Sequence, residues 1–293
     1  MPAISTRAPS WRLRSRTLSF GARPLLMGIV NVTPDSFSDG GRYFDPAAAI
    51  EQGLRLAADG ADLLDVGGES TRPYSDPVDA AEELRRVLPV ALALCERSGV
   101  PVSIDTSKAA IAREAVAAGC EIINDVTALA GDPEMSAVAR VSGCGVVLMH
   151  MQGTPQTMQN QPSYGDVVKE LFDYLAARRD AAIAAGIAPE RICLDPGIGF
   201  GKTHAHNLTL LANMGRFHAL GCPLLVGHSR KGFIGKILGD PSADRTLGNV
   251  GVALAMAAKG VQILRVHDVA PVRQALLLFE AAGGLAELSP DFR

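Results

Sequence analysis

Eight short apolar segments of strand length run through this chain, and each ends in residues that can do chemistry. In chain order these residues are Asn31, Asp65, Asp105, Asn124 with Asp125, His150, Asp195, His228–Lys231, and Arg265 with His267. Carboxylates and amides bind N–H donors or hard metal ions, whereas a guanidinium group forms paired bonds to phosphate or carboxylate oxygens. If the ends of the segments meet in space, these side chains surround one pocket.

The segments between the apolar runs have the apolar period of helices. Residues 45–59 begin with the cap residue Asp45 and with Pro46 in the first turn, which is typical of a helix start. The other predicted helices cover residues 80–97, 108–118, 133–141, 167–185, 206–214, 244–259 and 269–282. Strands that alternate with helices predict βα units and a parallel sheet.

Two α/β architectures fit this alternation. A doubly wound open sheet concentrates its functional residues at one or two strand ends near a switch point. A closed barrel brings the carboxyl ends of all its strands to one rim, where its active site lies. Because polar residues follow every segment, we predict a (β/α)₈ TIM barrel, with a single domain and a short N-terminal extension that includes a β-hairpin.

Composition limits the function classes. The chain has 293 residues and a formal net charge of −3, which suits one barrel domain and argues against nucleic acid as a partner. No apolar run approaches the roughly 20 residues of a membrane span, so we expect no membrane partner. The five cysteines are widely spaced, odd in number and without a CxxC pair, which predicts reduced thiols and a cytoplasmic protein.

The first 24 residues are rich in arginine and serine and contain no acidic residue. Such a composition is typical of an organelle transit peptide. The alternation over residues 16–20, followed by Gly21, instead predicts a small β-hairpin that closes the bottom of the barrel, and we favour this interpretation. We therefore predict a tail with a hairpin over residues 1–24, the barrel over 25–285 and a C-terminal tail over 286–293.

Two polar stretches follow adjacent strands and are predicted as loops. They cover residues 33–43 and 67–76, and both are dense in glycine, serine and aspartate. A purely structural loop could have this composition. Long loops at the carboxyl ends of barrel strands are usually functional, so we favour two active-site lids.

Eight motifs stand at these strand ends. They are GIVNVTPDSFSDGG (28–41), DVGGESTRP (65–73), SIDTSK (103–108), INDV (123–126), MHMQGTP (149–155), DPGIGFGKT (195–203), GHSRK (227–231) and RVHDV (265–269). In this order they resemble the dihydropteroate synthase family, over about residues 25–280. The resemblance implies a pterin-binding barrel, usually a homodimer, that joins 4-aminobenzoate to a dihydropterin bearing a CH₂-diphosphate group. It also implies release of diphosphate and Mg²⁺ as cofactor.

The resemblance assigns the pterin to a group of strand-end residues. Asp195 would bind the aminopyrimidine edge, Asp105 and Asn124 the rest of the ring, Lys231 the opposite edge, and Met149 a ring face. Two alternatives stay open from the sequence: Asp195 could cap the turn that follows it, and Asp105 and Asp195 could act as a general acid or as metal ligands.

The same resemblance assigns residues to the diphosphate group of the substrate. Arg265 and His267 would hold the diphosphate and, with Lys231, form the catalytic set. Thr71, Arg72 and Asn31 complete the predicted diphosphate contacts, and Asn31 is the predicted ligand of Mg²⁺. Asp35 and Ser36 could help to hold the metal through water. As an alternative, His267 could form a helix-capping pair with Asp268.

The 4-aminobenzoate pocket is predicted to contain Thr71, Arg72, Pro73, Phe200 and Gly232. The chain departs from many relatives here in two ways. Tyr74 stands where they often have glycine, so the loop could bend differently. Gly232 stands where many have serine, so the substrate carboxylate would depend on backbone N–H groups at the start of the next helix.

Three alternatives remain at this stage. The chain could be a related barrel that binds methyltetrahydrofolate and transfers a methyl group, or an inactive paralogue kept for binding. His204 and His206 could form a metal pair, although a surface role is favoured because no third ligand is evident. Apolar faces at residues 247–258 and 276–279 could be dimer contacts or ordinary barrel packing.

Overall fold

The structure, a computed structural model, describes residues 7–33 and 45–285. Its strands are β1 (Ser10–Arg12), β2 (Thr17–Ser19), β3 (Leu25–Asn31), β4 (Leu63–Gly67), β5 (Val102–Asp105), β6 (Ile122–Asp125), β7 (Gly145–Met149), β8 (Ile192–Asp195), β9 (Leu225–Val226) and β10 (Ile263–Val266). Strands β3 to β10 form a parallel sheet in the order β8-β7-β6-β5-β4-β3-β10-β9. A parallel bridge between Leu194 and Leu224 joins the two ends of this order. The (β/α)₈ barrel is therefore confirmed.

Helices surround the barrel, and along the chain they alternate with its strands. They are α1 (Pro46–Ala58), α2 (Ala80–Arg97), α3 (Ala109–Ala117), α4 (Met135–Ser142), α5 (Val167–Ala184), α6 (His204–Ala212), α7 (Gly232–Leu238), α8 (Thr246–Ala258) and α9 (Val269–Ala281). The side chain of Asp45 accepts a bond of 2.9 Å from the N–H of Ala47, which confirms the predicted cap of α1. Helix α7 is missing from the predicted helix ranges, although the sequence predicted that a helix follows Gly232.

The hairpin β1–β2 closes the bottom of the barrel, as predicted. Trp11 is fully buried there, packs in an apolar cluster with the lower side chains of the strands, and donates from Nε1 to the carbonyl oxygen of Arg191 at 2.8 Å. Arg14 donates to the carbonyl oxygen of Val116 at 2.6 Å, and Arg16 forms an ion pair with Glu121 at 2.8 Å. The arginines of this segment thus hold the barrel floor in place.

A second and larger apolar core lies between the strands and the helices around them. The buried positions of α2, for example, recur with helical spacing and face the sheet: Glu83, Val87, Val90, Ala91 and Leu94. Within the described ranges, no helix combines the length and the apolar character that crossing a bilayer requires. The predicted C-terminal tail, 286–293, and most of the first predicted lid lie outside the described residues.

Candidate active site

A cavity of about 710 Å³ opens at the carboxyl ends of the barrel strands. Its wall contains ten residues of the predicted site: Asn31, Thr71, Arg72, Pro73, Asp105, Phe200, Lys231, Gly232, Arg265 and His267. They come from the carboxyl ends of six strands, β3, β4, β5, β8, β9 and β10, and from the loops that follow those ends. The fold therefore brings together side chains that lie far apart in the sequence.

Three further predicted residues lie behind the cavity wall. Asn124, Asp195 and Met149 are at most 6% exposed and do not line the cavity. Asp195 Oδ1 accepts a bond of 2.7 Å from the N–H of Gly197, so the turn-capping role considered from the sequence is real. Electrostatic interactions with Lys231 and Arg265 also connect this carboxylate to the cavity, so capping does not remove it from the site.

Arg265 lies between two carboxylates at the bottom of the site. Its Nε is 2.6 Å from Asp65 Oδ2, and its Nη2 is 2.8 Å from Asp105 Oδ2. Asp65 Oδ2 also accepts from Asn124 Nδ2 at 3.0 Å. Burial raises the pKa of Asp105 to about 7, although the positive charge of Arg265 opposes this shift. The sequence marked Asp65 as a strand-end acid but gave it no role in the site.

Lys231 extends along one side of the cavity. Its Nζ lies 4.1 Å from the centre of the Phe200 ring, a cation–π distance. Burial lowers the pKa of Lys231 to about 8, with a further contribution from Arg265, whereas burial raises the pKa of Asp195 to about 6. At neutral pH Lys231 is therefore mostly protonated and Asp195 mostly ionised, and each is close to its point of titration.

In the glycine-rich loop after β8, Gly199 lets the loop backbone lie close to the side chain of Lys231. Gly199 has φ = +88°, and a Cβ added there would lie 2.9 Å from Lys231 Cδ. The side chain of Asn207 accepts from the N–H of Gly199 at 2.7 Å and fixes this turn from α6. Glycine thus allows the loop backbone to pass directly over the lysine side chain.

Lys202, in the same loop, is a site residue that sequence reasoning missed. It lines the cavity but is only 2% exposed, and its Nζ donates to the carbonyl oxygens of Gly197 at 2.9 Å and Phe200 at 2.8 Å. The Nζ also lies 3.0 Å from His150 Nδ1, and burial lowers the pKa of Lys202 to about 7. The sequence shows only a lysine that ends the glycine-rich stretch GIGFGK (197–202) and does not show the backbone carbonyls that bind it.

His267 faces the cavity as a neutral ring. Burial lowers its pKa to about 3, and the positive charges of Arg230 and Arg265 act in the same direction. Its Nδ1 lies 3.0 Å from Ser229 Oγ. Asp268, considered as its capping partner, instead forms an ion pair with Arg230 at 2.6 Å. If Nδ1 accepts from the serine hydroxyl, the proton on Nε2 is available to an anionic ligand.

The second predicted lid contributes Thr71, Arg72 and Pro73 to the cavity. Tyr74 follows them with φ = +65°, a left-handed conformation that glycine adopts without strain. Its N–H donates to the carbonyl oxygen of Pro155 at 3.0 Å, while its side chain is 67% exposed. Tyr74 therefore places a bulky side chain at a position with a left-handed backbone conformation.

The donor chemistry of the site fits Mg²⁺ held mainly by a substrate. Asn31 ends β3 and lines the cavity with an amide oxygen, a ligand suited to this ion. Over the described parts of the chain, no group of three or more His, Cys, Asp or Glu side chains could hold a metal ion. His206 caps α6 in a reciprocal box with Thr203, whereas His204 is exposed and lines the cavity. Asp35 and Ser36 lie outside the described residues.

Comparisons with known proteins show the family of this chain. The profile of the family described as pterin binding enzyme matches residues 27–267. Dihydropteroate synthase of Neisseria meningitidis serogroup C is 50% identical over 265 residues, which cover 89% of this chain and 93% of the relative. The Escherichia coli (strain K12) dihydropteroate synthase is 45% identical over 260 residues, or 89% of this chain and 92% of the relative.

Solved structures show the same relationship. The Yersinia pestis dihydropteroate synthase in a sulfonamide drug complex superposes with a TM-score of 0.88 at 44% identity, covering 93% of this chain and 98% of that one. The Xanthomonas albilineans enzyme with 4-aminobenzoic acid gives a TM-score of 0.86 at 47% identity, covering 94% and 98%. The chain belongs to the pterin-binding enzyme family and, within it, to the dihydropteroate synthases, which are transferases.

Proposed function

We propose that this chain joins 4-aminobenzoate to (7,8-dihydropterin-6-yl)methyl diphosphate and releases 7,8-dihydropteroate and diphosphate. The observation that carries the proposal is the meeting of Asp105, Lys231, Arg265 and His267 in one cavity with the loop residues 71–73. Two related Xanthomonas albilineans structures, one with 4-aminobenzoic acid and one with 7,8-dihydropteroate, support the substrate and the product.

The pterin would lie at the deep end of the cavity. Asp195 would accept N–H bonds from its aminopyrimidine edge, a charge-assisted geometry, and Asp105 and Asn124 would bind the rest of the ring. Lys231 would donate from the other edge, and Met149 would pack near the ring. Since Asn124, Asp195 and Met149 do not line the cavity, the proposal requires side-chain movements that open the wall towards them when the ring enters.

The reaction needs stabilisation of the leaving group more than proton transfer. The bond between the CH₂ carbon and the diphosphate oxygen breaks, and its electron pair leaves with the diphosphate. The amine nitrogen forms the new bond to carbon and then loses a proton to solvent. Arg265, His267 and Lys231 would offset the growing negative charge, and the loops would position the amine.

The metal would arrive with the diphosphate. Asn31 supplies one amide oxygen, and Mg²⁺ takes few protein ligands while keeping phosphate oxygens and water. When bound, the ion would supply Lewis-acid stabilisation of the leaving group. Thr71 and Arg72 would contribute further contacts to the diphosphate from the loop after β4.

The aminobenzoate would lie between the second lid and the start of α7. Thr71, Arg72 and Pro73 would form one wall, and Phe200 would pack against the ring. Gly232 begins α7, and the first N–H groups of a helix have no acceptor within it. These groups would bind the substrate carboxylate in place of the serine that many relatives carry.

We also propose a homodimer in the cytoplasm. Helices α7 to α9 carry exposed apolar side chains that a second copy could cover: Ile237, Leu238, Leu247, Leu277 and Leu278. All five cysteines are free thiols, which fits a reducing compartment. Analytical ultracentrifugation tests the dimer, and Leu247→Asp should shift it to the monomer.

One assay tests the reaction. Purified protein, the dihydropterin diphosphate, 4-aminobenzoate and Mg²⁺ should yield dihydropteroate. No product under these conditions would favour an inactive paralogue. Calorimetry separates the synthase from a methyl-transfer barrel, because the synthase should bind diphosphate more tightly when Mg²⁺ is present, whereas a methyltetrahydrofolate site has no reason to do so.

A further inference from the structure

Lys108 connects two neighbouring loops at the mouth of the barrel. It precedes α3 and stands three positions after Asp105, which ends β5. Its Nζ forms ion pairs with Glu69, in the loop after β4, and with Glu83, in α2. Glu69 itself lines the cavity. One ammonium group therefore links the loops that follow two strands of the site, and we call these three residues the clip.

Burial makes the clip sensitive to loss of its positive charge. The side chain of Glu83 is 1% exposed, whereas those of Lys108 and Glu69 are partly exposed. Burial raises the pKa of Glu83, and the bond to Lys108 opposes that shift. Burial lowers the pKa of Lys108, but its bonds to Glu69 and Glu83 raise it overall. Without Lys108, a buried carboxylate would face a second one with no counter-charge, which is strongly unfavourable.

The base of the β4–α2 loop is attached to α2 by further contacts. Arg86 Nη1 donates to the carbonyl oxygen of Gly68 at 3.1 Å. A Cβ added at Gly68 would lie 2.5 Å from Val87 Cγ1, so the loop backbone lies directly against the helix. The N–H of Val78 also points to Glu69 Oε1, at 3.4 Å. These contacts fix where the loop leaves and rejoins the barrel.

The tip of the same loop is attached to its other neighbour. The N–H of Tyr74 donates to the carbonyl oxygen of Pro155 at 3.0 Å, and Gln156 Nε2 donates to that of Ser75, also at 3.0 Å. Thr71–Pro73 lie between these two attachments. Within the loop, Ser75 Oγ also donates to the carbonyl oxygens of Ser70 and Arg72. The position of Thr71–Pro73 therefore depends on the clip and the contacts of Gly68 at the base, on these internal bonds, and on two hydrogen bonds at the tip.

We propose that Lys108 is a positioning residue for 4-aminobenzoate, which holds Thr71–Pro73 in place through Glu69 and Glu83 without contacting the substrate itself. This inference rests on the proposed function. Lys108 does not line the cavity, so its effect should be confined to what the loop contacts. Loss of the clip should weaken use of 4-aminobenzoate and the loop's contacts with the diphosphate, while the pterin ring, bound deeper by other residues, should keep its affinity.

Steady-state kinetics of Lys108→Met test the proposal. We expect the KM for 4-aminobenzoate to rise about tenfold. The Kd of 6-hydroxymethyl-7,8-dihydropterin, which lacks the diphosphate that Thr71 and Arg72 would contact, should stay within about twofold of the original value. Lys108→Arg keeps the charge and should restore most of the lost KM. Lys169→Met is the matched control, because it removes a lysine from an exposed ion pair with Asp173 in α5, and it should change neither constant.

Hydrogen exchange gives a readout that does not require turnover. The amides of Tyr74 and Ser75 should exchange faster in Lys108→Met than in the original protein, and at the original rate in Lys169→Met. If Lys108→Met does not fold, Glu69→Gln tests the same link at a partly exposed position and should shift KM and exchange in the same direction.

Three results decide the matter. Unchanged KM and unchanged exchange in the folded variant would overturn the proposal. An equal loss of affinity for 4-aminobenzoate and for 6-hydroxymethyl-7,8-dihydropterin would also overturn it, because it would indicate general damage to the site. If the original protein makes no dihydropteroate, the proposed function fails, and the role of Lys108 in substrate positioning fails with it. The hydrogen-exchange data would still decide whether the clip holds the loop in place.

Discussion

Arg265 and Asp65 form an ion pair of 2.6 Å although two hundred positions separate them in the sequence. Asp65 is fully buried beneath the cavity, and Arg265 reaches it from the opposite end of the chain through the pairing of β10 with β3 and of β3 with β4. The bond to the Asp65 carboxylate therefore orients the guanidinium group of Arg265 and, with it, the remaining N–H groups of that side chain. Asp65 is a positioning residue behind a residue that would contact the diphosphate.

Asp65→Asn should lower kcat/KM for the dihydropterin diphosphate by roughly 10- to 100-fold, since a hydrogen bond to a charged group contributes about 1.5–3 kcal/mol. The amide keeps the shape of the carboxylate but loses its charge. Steady-state kinetics measure the effect, and thermal unfolding shows whether the fold survives. Glu134→Gln, which weakens an exposed ion pair with Arg113, should leave the kinetics unchanged. Equal rates for Asp65→Asn and the original protein would remove Asp65 from the site.

The pH profile of kcat/KM should be bell-shaped, because this constant reports groups of the free enzyme. Burial raises the pKa of Asp195 to about 6 and of Asp105 to about 7, so activity should rise as these acids lose protons. Burial lowers the pKa of Lys231 to about 8, so activity should fall as it loses its proton above that pH. Initial rates from about pH 4 to about pH 10 measure both limbs, because this range extends about two units below the pKa of Asp195 and above that of Lys231.

The upper limb of this profile can be assigned by substitution. Lys231→Arg replaces the amine by a group that stays protonated throughout the range. The fall above about pH 8 should then disappear, even though the maximum rate is lower. A fall that persists unchanged in Lys231→Arg would assign the upper limb to another group.

Gly199→Ala should reduce activity more than its effect on stability suggests. The added Cβ would lie 2.9 Å from Lys231 Cδ, so the lysine or the loop must move, in addition to the strain of an alanine at φ = +88°. Gly221→Ala is the matched control, because Gly221 has φ = +71° and no atom within 4 Å of the added Cβ. Both variants should lose about 1 kcal/mol of stability from backbone strain, and Gly199→Ala should also lose roughly tenfold or more in kcat/KM. Similar kinetics in the two variants would show that Gly199 matters for the backbone alone.

Trp11→Phe should destabilise the protein with little effect on catalysis. The substitution removes the bond from Nε1 to the carbonyl oxygen of Arg191 and leaves a gap in the fully buried barrel floor. We expect a loss of about 1–3 kcal/mol in the free energy of unfolding, measured by urea denaturation with circular dichroism. Below the melting temperature kcat/KM should stay within about twofold. A large change in kcat/KM would mean that the packing at the hairpin end of the barrel affects the cavity at the opposite end.

Local signals made most of this fold predictable. The apolar period located α1, α2 and α5 nearly to the residue, and the polar strand ends located the cavity, because alternation and strand length depend on neighbouring residues only. The range of helix α7 was missed since it has only seven residues, two of them glycine, which leaves too little periodic pattern.

The missed site residues have a different cause. The partners of Lys202 are backbone carbonyls, which no sequence motif displays, and the partner of Asp65 lies on a distant strand. Sequence alone also could not separate capping from ligand binding for Asp195, because the same carboxylate accepts the bond from Gly197 and belongs to the electrostatic environment of Lys231. Such assignments depend on three-dimensional contacts.

The hairpin that closes the barrel has a practical consequence for engineering. It packs against the amino-terminal ends of the strands, whereas the cavity opens at their carboxyl-terminal ends. Substitutions that improve packing around Leu13 or Leu18 can therefore raise heat tolerance without reshaping the substrate pocket. Directed evolution of this enzyme could therefore collect stabilising substitutions at the hairpin end of the barrel and leave the cavity end free to acquire new substrate preferences.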